Sequence, residues 1–268
     1  MTGPRVRLHA AACSDIGPHR TTNQDAAFTA PWGAAVADGV GGGPAGDLAS
    51  AALVHRIAAG RPDGLEAEQL QTIVRLANWD LRAHVERDPS LSGMATTFTG
   101  LFTSDRSGLL LAHTGDSRAY RLRDGRLQQR SRDDSLVQAL VDQGIVSLEE
   151  AVSHPRRNVI TASLSGADED AATVTMQEAV VGDRWLLCSD GLSDYVPGEE
   201  ILRRLLAHRD PAAAAAACVE IALEAGTRDN VTAVVCDVVD ESWTGVRRPQ
   251  AAFWGAAADR FTEELDSA

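Results

Sequence analysis

The apolar and polar positions divide the chain into blocks of strands and blocks of helices. Val6, Leu8, Ala10 and Ala12 recur at every second position, which predicts a strand over 5–16. After a polar turn over 17–25, two short strands are predicted, the second being the run Ala34 to Ala37 that ends at Asp38. Leu48, Ala52 and Ile57 mark the apolar stripe of a helix over 44–59. In the next helix Asp63 reads as the N-cap, with Glu66 three residues on. Leu70, Ile73, Val74, Ala77, Leu81 and Val85 then keep helical spacing until Pro89. Strands follow at 95–103 and 108–114, then a hairpin of 117–123 and 126–130 about Asp124-Gly125. A helix runs from Ser135 to Gly144, and an irregular stretch over 145–172 holds a short helix at 148–152. Strands at 173–180 and 184–189, helices at 197–208 and 211–225, and a strand at 231–239 complete the pattern. Strands and helices that come in blocks, without strict alternation, predict antiparallel sheets with helices packed outside, an α+β layered sandwich.

The segment 241–268 reads as a tail, with Trp254, Ala257, Ala258, Phe261 and Leu265 on one helical face. It is expected to be an amphipathic helix docked on its own domain, with a partner-binding helix as the alternative. Glu263, Glu264 and Asp266 disfavour a membrane-surface helix.

Charge and composition narrow the classes. The chain has 268 residues and a net charge of −13, with no lysine. Nucleic-acid binding needs clustered cations, so the charge argues against a nucleic-acid partner. Cys13, Cys188, Cys218 and Cys236 form no Cys-x-x-Cys pair and read as buried, reduced thiols. No apolar run reaches about 18 residues and the N-terminus has no signal core, so a soluble cytoplasmic protein with no membrane span is expected.

Candidate chemistry lies at strand ends. Asp38-Gly39 closes one apolar run, Asp190-Gly191 a second, and Asp116 a third; Asp229 stands just ahead of the strand at 231–239. One Asp-Gly is usually only a turn. Four carboxylates at four strand ends suggest one convergent acidic centre. Facing carboxylates repel, and divalent cations resolve the conflict. Oxygen donors suit Mg²⁺ or Mn²⁺, while the scattered histidines do not suit Zn²⁺. Two such ions about 3.5–4 Å apart hold a hydroxide ready for in-line attack on phosphorus. Arg20, in the loop ahead of the first acid strand, is the candidate for gripping phosphate oxygens. No Gly-x-Ser-x-Gly elbow or similar nucleophile motif is present, which argues against a covalent intermediate.

Eight segments in one order carry a resemblance over roughly 5–240. They are Arg20-x-x-Asn23-Gln24-Asp25; Val36-Ala37-Asp38-Gly39-Val40-Gly41-Gly42; Gly93-Met94-Ala95-Thr96-Thr97; Gly115-Asp116-Ser117-Arg118-Ala119-Tyr120; Asp133-Asp134-Ser135-Leu136-Val137; His154-Pro155-x-Arg157-Asn158-Val159-Ile160-Thr161; Leu187-Cys188-Ser189-Asp190-Gly191-Leu192; and Asp229-Asn230-Val231-Thr232. With them the chain resembles the bacterial metal-dependent Ser/Thr phosphatases of the PPM, or type 2C, family. The resemblance implies a four-layer α-β-β-α sandwich of two antiparallel sheets flanked by helices, spanning 1–240, with a flap at about 142–165 that bears on substrate choice. It implies that Asp38 bridges two metals, that the Gly39 carbonyl faces the second, and that Asp190 and Asp229 hold the first. Asp116 with Asp190 would hold a third. Arg20 would bind the substrate phosphate, Asp25 would support metal-bound waters, and Gln24 and Asn230 would stand behind the ligands.

Some positions depart from the family pattern. Gln24 stands where Glu is common, Asp134 replaces a usual His, and Ala162 replaces an Arg ahead of an irregular Ser163-Leu164-Ser165-Gly166. Val40 stands where animal members carry a His. No direct metal ligand is lost. The expected function is hydrolysis of phosphoserine and phosphothreonine in proteins by a metal-bridging hydroxide, by a monomer opposing a bacterial Ser/Thr protein kinase. The rivals are an inactive phosphatase-like scaffold, a two-metal hydrolase of small phosphoesters or nucleic acid (the latter disfavoured by the acidic charge), and a phosphatase dedicated to one regulatory protein such as an anti-anti-sigma factor.

Overall fold

The computed structural model describes residues 5–40, 45–61, 63–105, 108–243 and 250–260. Its strands are β1 (Val6–Asp15), β2 (Asp25–Ala30), β3 (Gly33–Asp38), β4 (Phe98–Thr103), β5 (Gly108–Thr114), β6 (Arg118–Arg123), β7 (Arg126–Gln129), β8 (Thr173–Glu178), β9 (Arg184–Cys188), β10 (Val231–Asp240) and β11 (Ala252–Gly255). Its helices are α1 (Gly46–Ala59), α2 (Ala67–Arg87), α3 (Leu136–Asp142), α4 (Leu148–Val152), α5 (Asp190–Ser193), α6 (Gly198–Ala207), α7 (Pro211–Glu224) and α8 (Ala256–Arg260). One sheet has the order β1-β10-β9-β6-β7 and the other β11-β2-β3-β4-β5-β8. Every pairing of strands in them is antiparallel.

Side-chain parity explains the layers. Along β10, Val231, Ala233 and Val235 pack with α6 and α7, while Val234, Cys236 and Val238 face the other sheet. Along β3, Ala35 and Ala37 pack with α1 and α2, while Ala34 and Val36 point between the sheets. Strands buried on both faces read as unbroken apolar runs, which is why these segments do not alternate in sequence. Three apolar cores between four layers follow, and this is the α-β-β-α sandwich. The alanine-rich α7 lies close on its sheet, with Ala214, Ala215 and Ala222 fully buried. Cys188, Cys218 and Cys236 are buried and Cys13 half-buried, all as free thiols. No helix among the described residues is long and apolar enough to cross a membrane.

The elements differ from expectation at three places. The second helix starts at Ala67, with Glu66 as N-cap; Gln69 Oε1 accepts the Glu66 N–H at 2.9 Å. Asp63 instead accepts from the Thr103 hydroxyl at 3.0 Å, tying the loop to the end of β4. The short α5 was not foreseen, because one turn is below the reach of periodicity. In the tail, Ala252–Gly255 is a strand, so Trp254 lies on a sheet edge and not on a helical face; Phe261 and Leu265 fall outside the described residues. Strand β2, buried along its whole length, leaves backbone groups to be paired on that side, and β11 pairs them.

The core prediction concerns Phe28, which is fully buried with Trp32 at 5.6 Å and Phe102 at 6.2 Å between ring centroids. Phe28→Ala removes that cluster's centre and should cost about 3–5 kcal/mol in urea unfolding. A loss below about 1 kcal/mol would show that the helix-side core does not depend on it.

Candidate metal centre and phosphate site

The strand ends converge as the sequence suggests. Asp38 ends β3, Asp116 follows β5, Asp190 opens α5 directly after β9, and Asp229 precedes β10. Together with Arg20, Gly39, Val40, Thr97, Asn158 and Ile160 they line one cavity of about 240 Å³. Asp25 stands opposite Asp38 in the β2–β3 register and is fully buried.

Hydrogen bonds fix the backbone and side chains around the cavity. Thr97 Oγ1 accepts the Asp38 N–H at 3.0 Å, and Thr96 Oγ1 donates to the Asp38 carbonyl at 2.9 Å. Ser189 Oγ donates to Asp25 Oδ2 at 2.7 Å and accepts the Thr232 N–H at 3.0 Å. Asn230 ties the Arg20 loop down: its Nδ2 donates to the Ile16 carbonyl at 2.8 Å and its Oδ1 accepts the Gln24 N–H at 2.8 Å. The Gln24 carbonyl accepts the Gly39 N–H at 3.1 Å, so Gln24 positions that loop through its backbone. Arg20 Nη2 donates to Asp229 Oδ2 at 2.6 Å, with both side chains about a third exposed at 34% and 27%.

The departures from the family pattern also have partners. Asp134 Oδ2 accepts the Gly115 N–H at 3.1 Å, next to Asp116, and the Asp134 carbonyl accepts the Thr161 N–H at 2.7 Å. Leu164 pairs with Thr96 through two backbone bonds of 2.9 Å. Asn78 Oδ1 accepts the Gly166 N–H at 2.8 Å, and Asp170 Oδ2 accepts the Ser165 N–H at 2.7 Å. The irregular segment after Ala162 is therefore anchored to α2 and to the site floor.

Sequence reasoning gave no site role to Thr97, Asn158 and Ile160, though all three stand in the segments that carry the resemblance, and it left out Asp194. Asp194 lies four residues after Asp190 across α5, with its N–H on the Asp190 carbonyl at 2.9 Å. That i,i+4 spacing after the Asp-Gly was the available signal.

The electrostatics are those of a site built for positive charge. Burial, then the charges of Asp25, Asp190 and Asp116, push Asp38 well above the carboxylate range. Asp190 is raised by burial and then by Asp116 and Asp194. Burial lifts Asp25 to about 6, and burial with Asp133 and Asp194 lifts Asp116 to about 7. Asp25 Oδ1 and Asp190 Oδ1 are buried without a hydrogen-bond partner, which native structures rarely tolerate unless something else binds there. The donors that line the cavity are carboxylate and carbonyl oxygens, which suit a hard cation, Mg²⁺ or Mn²⁺, better than Zn²⁺. No three His, Cys, Asp or Glu side chains among the described residues are already drawn around one point.

The family model described as Protein phosphatase 2C matches residues 19–223. The chain belongs to the protein phosphatase 2C family. It is 47% identical over 238 residues to the serine/threonine protein phosphatase PstP of Mycobacterium tuberculosis, covering 87% of this chain and 45% of that protein. It thus spans about half the length of that relative. It is 32% identical over 209 residues to the serine/threonine phosphatase Stp of Listeria monocytogenes, covering 75% of this chain and 82% of that protein. The crystal structure of M. tuberculosis PstP/Ppp superposes with a TM-score of 0.82 at 43% identity, covering 88% of this chain and all of that one (100%). The PstP catalytic domain has also been solved in complex with two manganese ions; it covers 88% of this chain and 100% of that one, with a TM-score of 0.80 at 43% identity.

For a member of this family the raised carboxylates set a pH dependence. Asp25 and Asp116 hold protons more tightly folded than unfolded, so their neutral forms favour the fold below about pH 4. That contribution is lost as pH rises through about 6 and about 7. The metal-free chain should lose melting temperature over that interval, and Mn²⁺ at pH 7.5 should restore it. A flat profile unaffected by Mn²⁺ would remove the electrostatic account.

Proposed function

We propose that this chain hydrolyses phosphoserine and phosphothreonine esters in proteins with two divalent cations, Mn²⁺ or Mg²⁺, and a third at Asp116, reversing a Ser/Thr protein kinase. The observation that carries the reading is the convergence of Asp38, Asp116, Asp190 and Asp229 with Arg20 on one cavity. Relatives named as serine/threonine phosphatases support the substrate class.

In this reading Asp38 and the Gly39 carbonyl would hold one cation, and Asp38, Asp190 and Asp229 would hold the other. When bound, the cations supply an acidified water and positive charge at the phosphoryl oxygens. Arg20 binds the phosphate dianion, its guanidinium held at the cavity wall by Asp229. Asp25, fixed by Ser189, leaves Oδ1 free to accept from water in the site. Among the described residues that line the cavity none is a histidine, and in this reading water would supply the proton to the departing Ser or Thr oxygen. None of the four cysteines is among the residues that line the cavity, and burial pushes the Cys188 thiol up to about 12. Thr97 reaches the cavity, but its hydroxyl is engaged with Ser117 at 2.8 Å and with the Asp38 N–H.

The purified chain should release phosphate from a phosphothreonine peptide only with Mn²⁺ or Mg²⁺. Asp38→Ala and Asp229→Asn should each lower kcat by about a thousandfold or more, because each removes charge stabilisation worth several kcal/mol. Circular dichroism should stay unchanged. Turnover of a nucleotide in preference to the peptide would overturn the substrate class; no turnover with any divalent ion would favour the inactive scaffold.

A further inference from the structure

The segment 250–260 ends against the back of the metal loop. Its strand β11 pairs with β2 so that Phe253 meets the helix-side core and Trp254 the inter-sheet core. Phe253 stacks on His55 of α1, with ring centroids 4.0 Å apart. The His55 Nε2 lies 2.7 Å from the Ala257 carbonyl, which can only accept, so His55 donates. Ala256 and Ala257 are buried in the core beside Ala49 and Leu53. Arg260 Nε then donates to Asp47 Oδ2 at 2.8 Å, and Nη2 reaches the same oxygen.

Asp47 is the second residue of α1, and the first, Gly46, lies against the metal loop. A Cβ added at Gly39 would fall 2.3 Å from the Gly46 carbonyl oxygen; one at Gly46 would fall 2.8 Å from Gln24 Nε2. The α1 N-terminus is thus pressed on Gly39 from one side and gripped by Arg260 from the other. The second contact is Gly255, at φ +61°, where a Cβ would lie 2.2 Å from the Asp25 carbonyl oxygen and 2.9 Å from Ser14 Oγ. Ser14 bonds Thr232 at 2.7 Å and Asn23 at 2.9 Å, within the network that surrounds Asp25.

We infer that residues 250–260 are a buttress that holds α1 against Gly39, and so raise the affinity of the Asp38–Gly39 half of the site for its cation. Arg260 is the positioning residue of this device. The inference rests on the two-cation reading given above. Residues behind metal ligands commonly change affinity tenfold or more without touching the ion. Nε and Nη2 of Arg260 go to one and the same oxygen, so a point charge can replace the fork.

The test is Mn²⁺ titration by calorimetry on the full chain, Arg260→Ala, Arg260→Lys, Gly255→Ala and a chain ending at residue 249, each with a thermal melt. The expected result is one Mn²⁺ site weakened about tenfold in Arg260→Ala, Gly255→Ala and the shortened chain, the other unchanged, and near-complete recovery in Arg260→Lys. If the shortened chain does not fold, the point variants decide. Two wild-type isotherms in Arg260→Ala and Gly255→Ala, with only a lowered melting temperature, would reduce the segment to a stabilising patch and overturn the inference alone. A full chain that binds no Mn²⁺ would overturn the two-cation reading and the buttress with it.

Discussion

The structure depends on holding like charges together. Asp38, Asp116, Asp190 and Asp229 line one small cavity, with Asp25, Asp133 and Asp194 close behind. Nothing in a folded chain favours such crowding by itself, since each buried carboxylate raises the cost of ionising the next. The two sheets make it possible by delivering every carboxylate at the end of a strand or the start of a helix, where the rigid interior stops. The same repulsion that weakens the empty site gives it affinity for hard cations, so part of the stability the fold forgoes is returned on binding.

The short-range chemistry is designed for position more than for energy. Two neighbouring threonines fix the Asp38 peptide from both sides. Arg118 spans Asp133 with bonds of 2.7–3.1 Å, which offsets one buried carboxylate beside Asp116. Asp134 joins the turn at Gly115 to the backbone at Thr161. The Asp that stands here in place of the family's usual His thus has a positioning role of its own.

Most of the fold could be read from local pattern. Buried strands announced themselves as apolar runs, and their acidic ends were the one signal that pointed to chemistry; the ordered segments then supplied the family. What stayed hidden depends on partners distant in sequence. Asp63 could not be recognised as a ligand of Thr103, because both signals at the helix start, Asp63 and Glu66, obey local capping rules. Thr97, just ahead of β4, and Asn158 enter the cavity only because two segments distant in sequence meet there. Ala252–Gly255 carries a helical spacing and becomes a strand because β2 offers it a ladder, a tertiary choice that overrides propensity.

That last strand has a consequence for how the protein behaves in solution. Strand β2 is buried along all six of its residues, with Ala26, Ala27, Phe28 and Ala30 apolar, so without β11 it would present an open sheet edge. Such an edge is a template for pairing with another chain. The opposite edges of the sheets are managed differently: β7 is only four residues long and carries Arg126, and β8 carries Glu178. The closing segment therefore acts as a gatekeeper against aggregation, and the few residues that complete the sheet also keep the molecule from seeking its completion in a neighbour.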